Sequence, residues 1–216
     1  MQQITNQSLL SFMVLNQDQG IAVSNPATGE ILGYAPVSFE HDILDGVERA
    51  SVAQKEWALL PAKTRSGLLQ KWYQLLLENK EDLGRLMTLE QGKPWAEAQG
   101  EVLYGASFIE WFAEEAKRTY GETIPAPSSD KRLVTIKQPI GVACAITPWN
   151  FPIAMITRKA GPALAAGCTF IVKPAESTPL SAFAVAELAY QAGIPRDVMQ
   201  VVLGANSRQV GGIFTS

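Results

Sequence analysis

Three short stretches carry side chains that could do chemistry. Lys173-Pro174-Ala175-Glu176 sets a cation and a hydroxyl acceptor three residues apart, a pair that suits the ribose and phosphates of a nucleotide. Thr147-Pro148-Trp149-Asn150 ends in a side-chain amide that can cap a helix or donate to an oxygen. Gly204-Ala205-Asn206 is a third polar break after an apolar run. The only histidine, His41, lies in a polar stretch, which excludes a Ser-His-Asp triad and a multi-histidine metal site. An activated thiolate needs a helix N-terminus or a positive neighbour. Cys144 and Cys168 fall inside and at the start of apolar runs, and read as small buried hydrophobes.

The elements around these stretches decide what they can do together. Gly141 to Ile146 is almost wholly apolar, as in a strand covered on both faces of a parallel sheet. Phe151-Pro152 opens an Ala-rich helix that runs to about Ala166, with Asn150 as a possible N-cap and Gly167 as its stop. A second strand spans Thr169 to Lys173. The next helix has Thr178 as N-cap and Pro179 at its first position, and stops at Gly193-Ile194-Pro195. A third strand covers Val198 to Leu203, and a short last helix starts near Ser207. This βαβαβ order winds into one parallel sheet. Ligands of such sheets sit outside the carboxyl ends of the strands. All three polar stretches fall at those ends. The Gly-x-Gly-x-x-Gly fingerprint is absent, so the pattern points to a nucleotide site and names no reaction.

At these residues the sequence resembles the aldehyde dehydrogenase superfamily. The match rests on Thr-Pro-Trp-Asn-Phe-Pro (147–152) together with Lys-Pro-Ala-Glu (173–176), specific as a pair and weak apart. Leu86–Pro94, Ala106–Glu115 and Met155–Cys168 are similar, more narrowly, to succinate-semialdehyde dehydrogenases. The likeness runs from about Val23 to the C-terminus. It implies a truncated aldehyde dehydrogenase fold, α/β, whose Rossmann-like domain is interrupted by a β-hairpin oligomerisation arm. The implied reaction is oxidation of succinate semialdehyde to succinate with NAD, NADP being possible, as in GABA degradation. A thiol attacks the aldehyde, the thiohemiacetal passes hydride to the nicotinamide, and carboxylate-activated water hydrolyses the thioester.

The resemblance also assigns residues. Asn150 becomes the oxyanion donor, where the residues alone leave a helix cap equally open. Ile146, Thr147, Pro148 and Trp149, with Lys173, Pro174, Ala175 and Glu176, line the cofactor. Read alone, Lys173 could be a strand-end charge reaching solvent, and Trp149 and Phe151 are packing residues. Arg158 would bind the substrate carboxylate, against the plainer reading of Arg158 and Lys159 as solvated helix residues. Some close relatives carry a small residue in place of Glu176 and favour NADP. The nucleophile and the Glu-Leu-Gly-Gly base segment are expected beyond Ser216, so this chain alone is expected to be inactive. Another semialdehyde, such as glutarate semialdehyde, is a rival substrate. A non-catalytic nucleotide-binding or oligomerising remnant is a rival of a different class. A homo-oligomer, dimer or tetramer, is expected.

Composition sets the remaining bounds. With 47% hydrophobic and 18% charged residues, 216 residues can bury a core. A net charge of −3 with scattered Lys and Arg excludes a nucleic-acid partner. The apolar run from Ser8 to Leu15 is too short for a membrane span, and nothing basic precedes it as in a signal peptide. Two cysteines make no disulfide framework, which suits a reducing cytoplasm.

Residues 1–20 read as a loose or loosely docked segment, and 21–120 as the first part of the cofactor-binding domain. Within the latter, Ile21–Pro36 reads as a hairpin about Asn25–Glu30. Helical spacing from Asp42 to Gly92 predicts three helices divided at Pro61 and near Glu78–Glu81. Pro94 opens a fourth, with Val102, Phe108, Ile109 and Phe112 on its apolar side. Residues 121–140 read as the arm, with Leu133–Lys137 a half-exposed strand, and 141–216 as the βαβαβ part.

Overall fold

Two proline-glycine punctuated hairpins and a run of helices precede the parallel sheet. The structure is a computed structural model, and it describes residues 1–216 except Gln2, Gln3, Ala205, Ser216 and the side chain of Ser207. Gly20–Ser24 (β1) and Ile31–Pro36 (β2) pair antiparallel, and Gly29 takes a φ of 74° in the turn between them. Four helices follow: Glu40–Leu59 (α1), Ala62–Glu78 (α2), Lys80–Gln91 (α3) and Trp95–Glu115 (α4). The breaks fall where proline or a left-handed glycine stops the ladder, at Pro61 and at Gly92, φ 82°.

Glu122–Ile124 (β3) and Leu133–Thr135 (β4) form the arm, pairing antiparallel from Glu122 opposite Thr135. Ile124, Leu133, Val134 and Ile136 on it are exposed. Val142–Ile146 (β5), Ala154–Ala166 (α5), Thr169–Lys173 (β6), Pro179–Gln191 (α6), Met199–Val201 (β7) and Ser207–Phe214 (α7) complete the chain. The three strands form one parallel sheet in the order β5-β6-β7, with Ile146 opposite Lys173.

Side-chain alternation along β6 assigns its two faces. Phe170 and Val172 join the main core, which includes residues of α2, α3, α4, α5 and α6. Ile171 faces the other way, into a smaller cluster with Ile43 and Ala50 of α1, Val202, and Val210 of α7. Helices therefore cover both faces of β6, every residue of which is buried. β5 differs from its expectation. It is an edge strand, and α1 and α7 reach Val142 but leave Cys144 and Ile146 exposed. Cys144 is thus not a buried residue, whereas Cys168 is.

The helical layer grips α5 from its far end. Trp57 Nε1 donates to the Leu164 carbonyl at 3.0 Å, and Arg65 Nε to the Ala165 carbonyl at 3.1 Å. These bonds satisfy carbonyls that a helix end leaves without an intrahelical partner.

The N-terminal segment is also tighter than its composition suggests. Ile4 and Leu9 are buried, Phe12 stacks on Phe183 at 4.8 Å, and the Thr5 and Asn6 amides donate to the Asp82 carboxylate at 3.0 and 2.7 Å. Its scattered apolar residues have a receiving surface on α6, which the local sequence cannot reveal. Among the described residues no helix is long and apolar enough to cross a membrane.

Candidate functional site

β5 and β6 end side by side, and the Thr147 amide donates to the Lys173 carbonyl at 3.0 Å. The first two polar stretches therefore meet at one sheet edge. Lys173 does not reach for solvent. Its side chain is 2% exposed, and its ammonium donates to the Glu176 carboxylate at 2.7 Å and to the Pro174 carbonyl at 3.0 Å. Glu176 remains partly exposed above it. Beside them, the hydroxyl of Thr147 is buried without a hydrogen-bond partner among the described residues.

Asn150 is not a helix cap. The chain bends through 150–153, and α5 begins at Ala154 with Ile153 as its N-cap. The first amides of this helix, those of Ile153 and Ala154, donate to Oε1 of Glu101 at 2.9 and 3.2 Å. A carboxylate there also complements the helix dipole. The Asn150 carbonyl accepts from Lys93 Nζ at 2.9 Å and from Gln91 Nε2 at 3.4 Å. Its side-chain amide is exposed and has no partner among the described residues. Trp149 is 57% exposed, so it does not pack as expected, because nothing among the described residues covers the loop. Phe151, 40% exposed, lies under the Lys93 ammonium, 4.2 Å from its ring centroid.

The same device recurs at α6. Thr178 holds the N-cap position, but its hydroxyl is buried without a partner among the described residues. The Leu180 and Ser181 amides instead donate to Glu90 of α3, each at 2.8 Å. Burial pushes the Glu90 carboxyl up to about 7, against the pull of the bonds from Ser181 and Leu180. The missing Gly-x-Gly-x-x-Gly has a counterpart here: the N-termini of α5 and α6, where such folds hold phosphate, are filled by the chain's own carboxylates.

Arg158 is exposed on α5, its guanidinium 5.5 Å from the Phe108 ring centroid, with no carboxylate partner among the described residues. It does not share a continuous helix with Phe151, which lies in the bend before α5. Lys159 is partly buried, donates to the Met155 carbonyl at 3.2 Å, and is held below the usual lysine range by burial and by Arg158. Apolar surroundings push the Cys144 thiol up, the reverse of an activated nucleophile.

The third stretch stands on the carboxyl side of β7. A Cβ on Gly204 would meet Val210 Cγ2 at 2.4 Å, so only glycine lets α7 approach. The Asn206 side chain caps α7, accepting from the Arg208 and Gln209 amides at 3.1 and 3.3 Å. Ala205 lies outside the described residues. A cleft of about 560 Å³ opens there between the starts of α1 and α7. Among the described residues no cluster of His, Cys, Asp and Glu could hold a metal ion.

Sequence reasoning missed Glu90, Gln91, Lys93 and Glu101. A signal existed. Glu101 continues the buried series Ala98, Val102, Gly105 and Ala106, and Glu90 continues Leu83, Leu86 and Met87. A charge on a buried helical stripe needs a partner.

A parallel sheet covered by helices on both faces makes this an α/β chain, with an ion-paired Lys and Glu at one strand end and an unspent amide at the next. The chain belongs to the aldehyde dehydrogenase family, whose sequence profile matches residues 13–216. It is 59% identical over 203 residues to a glutarate-semialdehyde dehydrogenase of Pseudomonas putida, covering 93% of this chain and 42% of the relative. It is 57% identical over 201 residues to the NADP-dependent succinate-semialdehyde dehydrogenase of Escherichia coli K12, again covering 93% and 42%. The crystal structure of an aldehyde dehydrogenase from Brucella melitensis biovar abortus superposes with a TM-score of 0.96 at 51% identity, covering all of this chain and 46% of that one. The chain thus spans less than half the length of the proteins it matches.

Proposed function

We propose that this chain is the cofactor-binding portion of an NAD(P)-dependent dehydrogenase that oxidises succinate semialdehyde to succinate. The observation that carries the reading is the Lys173–Glu176 ion pair, joined through the Thr147–Lys173 bond to the loop that presents Asn150. Relatives named for four-carbon and five-carbon semialdehydes support the substrate class.

The side chains fit a dinucleotide. Glu176 would accept from the hydroxyls of the adenosine ribose, Lys173 holds Glu176 in place, and the buried, unpartnered Thr147 hydroxyl lies at the end of the neighbouring strand. When bound, the nicotinamide supplies the hydride acceptor. Asn150 offers its free amide to the aldehyde oxygen as negative charge develops there. Arg158 binds the far carboxylate. No residue of this chain is assigned the nucleophile or the base. The exposed apolar arm pairs with a second copy in a homo-oligomer, and the free cysteines suit a reducing cytoplasm.

The direct test titrates the 216-residue chain with NAD and NADP by calorimetry, alongside Lys173→Ala. Binding that the variant loses supports the reading; no binding of either dinucleotide overturns it. A second reading, oxidation of glutarate semialdehyde, is favoured by the 59% identity to the Pseudomonas putida enzyme. Comparing kcat/KM for the two semialdehydes in a full-length enzyme carrying this chain separates them.

A further inference from the structure

Between Gln91 and Ala154 the structure holds a group of contacts that the proposed chemistry does not use. Lys93 lies in the link between α3 and α4, its side chain 10% exposed, and Glu101 on α4 has a side chain 1% exposed. The two form an ion pair through Oε2 of Glu101. Oε1 of the same carboxylate takes the Ile153 and Ala154 amides. The ammonium also donates to the Asn150 carbonyl and sits on the Phe151 ring.

Four of the five residues from Asn150 to Ala154 are therefore gripped by one buried pair. The grip acts on backbone and ring only, and leaves the Asn150 side-chain amide free. A buried ion pair is tolerated when each charge is fully hydrogen-bonded, and removal of one partner strands the other. A loop merely needing a cap would be served by a local Ser, Thr or Asp, yet here the cap comes from another helix together with a cation aimed at the carbonyl of Asn150.

We propose that Lys93 and Glu101 are positioning residues that fix the peptide plane following Asn150 and so aim its amide at the reacting oxygen. This rests on the oxyanion reading of Asn150. An oxyanion donor is effective only within a narrow distance window, and misplacement by about 1 Å costs on the order of 100-fold in rate.

The test has two arms. In the 216-residue chain, Lys93→Met and Glu101→Gln are compared with the unchanged protein by hydrogen exchange of the 149–155 amides. At least tenfold faster exchange confined to that loop is expected, and unchanged exchange overturns the proposal. In a full-length enzyme carrying the chain, Lys93→Met should lower kcat roughly 10- to 100-fold with the KM for the cofactor unmoved. The same change in an Asn150→Ala background should cost nothing further. Losses that multiply mean that Lys93 acts elsewhere, and overturn it. Lys93→Arg, which keeps the charge, should recover most of the activity lost in Lys93→Met; no recovery in a variant that melts as the wild type does also counts against it. If Asn150→Ala itself leaves kcat intact, the oxyanion reading fails, and the exchange arm alone then judges whether the pair holds the loop.

Discussion

The carboxylate of Glu90 in α3 accepts the Leu180 and Ser181 amides at the start of α6, 2.8 Å each, and so caps a helix 90 residues away. The helix that follows Lys173–Glu176 is thereby tied to the helical layer. Thr178, the local candidate, contributes no side-chain cap.

A pH dependence follows from the Glu90 carboxyl, raised by burial from 4.5 to about 7. The folded chain binds this proton more tightly than the unfolded chain does. The associated stability is fully present below pH 4.5 and is lost as pH rises towards 7, by roughly 3 kcal/mol at most. Denaturant unfolding at pH 5 and pH 8, in the wild type and in Glu90→Gln, should show this loss in the wild type and a smaller one in the variant. Equal losses in both would remove Glu90 as the cause.

The two capping acids also show where the sequence was legible and where it was not. Pro61, Gly92 and Gly167 act on their own neighbours, so the helix breaks they impose were readable from local rules. The alternation of β6 and the polar stretches at strand ends were readable for the same reason. Glu101 and Glu90 act on amides 52 and 90 residues distant, and only the packed helical layer brings them there. The opposite error occurred at Cys144. Its apolar run has the composition of a buried strand, but burial depends on what lies over β5, and α1 and α7 cover Val142 while leaving Cys144 exposed.

Because Glu101 caps α5, loss of Asn150 should not loosen that helix. Asn150→Ala in a full-length enzyme is expected to cost on the order of 3 kcal/mol in the transition state, seen in kcat, with cofactor affinity barely changed. Its melting temperature should stay close to wild type, where loss of a true cap would cost about 1 kcal/mol. A destabilised but fully active variant would assign Asn150 to the fold.

On the proposed function, cofactor choice is expected to turn on Glu176. A 2′-phosphate would meet like charge there, so NAD is expected to be preferred over NADP. Lys173, 2.7 Å away, offsets part of the repulsion and leaves room for dual use. Glu176→Ser should shift the kcat/KM ratio towards NADP by about tenfold, the size of a 1.4 kcal/mol change. A clear NADP preference in the unchanged enzyme would reverse the assignment.

The cysteines should behave as ordinary thiols. Cys144 is exposed but its thiol is pushed up by desolvation, so little thiolate exists at neutral pH. Alkylation by iodoacetamide at pH 7 should be slow and should accelerate only at a higher pH than for an ordinary exposed cysteine. The 216-residue chain should form no NADH or NADPH from an aldehyde. Activity that disappears in Cys144→Ser or Cys168→Ser would show that one of them is the nucleophile.

On the proposed function, Arg158 is the residue that would read the substrate. The plain alternative for an exposed helical arginine is a surface salt bridge, worth little either way. The structure provides no such bridge: among the described residues the guanidinium meets only the Phe108 ring, 5.5 Å to its centroid. An aromatic face orients a guanidinium while leaving its N–H fork available, and that fork matches a carboxylate in two-pronged fashion. Asn150 stands just before the helix that bears Arg158, and the proposed function sets an aldehyde oxygen at the first and a carboxylate at the second. Arg158→Ala in a full-length enzyme should weaken use of succinate semialdehyde by about 1.5–3 kcal/mol. Oxidation of butanal, of the same length without the charge, should be nearly untouched. Equal losses on both substrates would mean that Arg158 supports the fold or the cofactor and does not read the substrate.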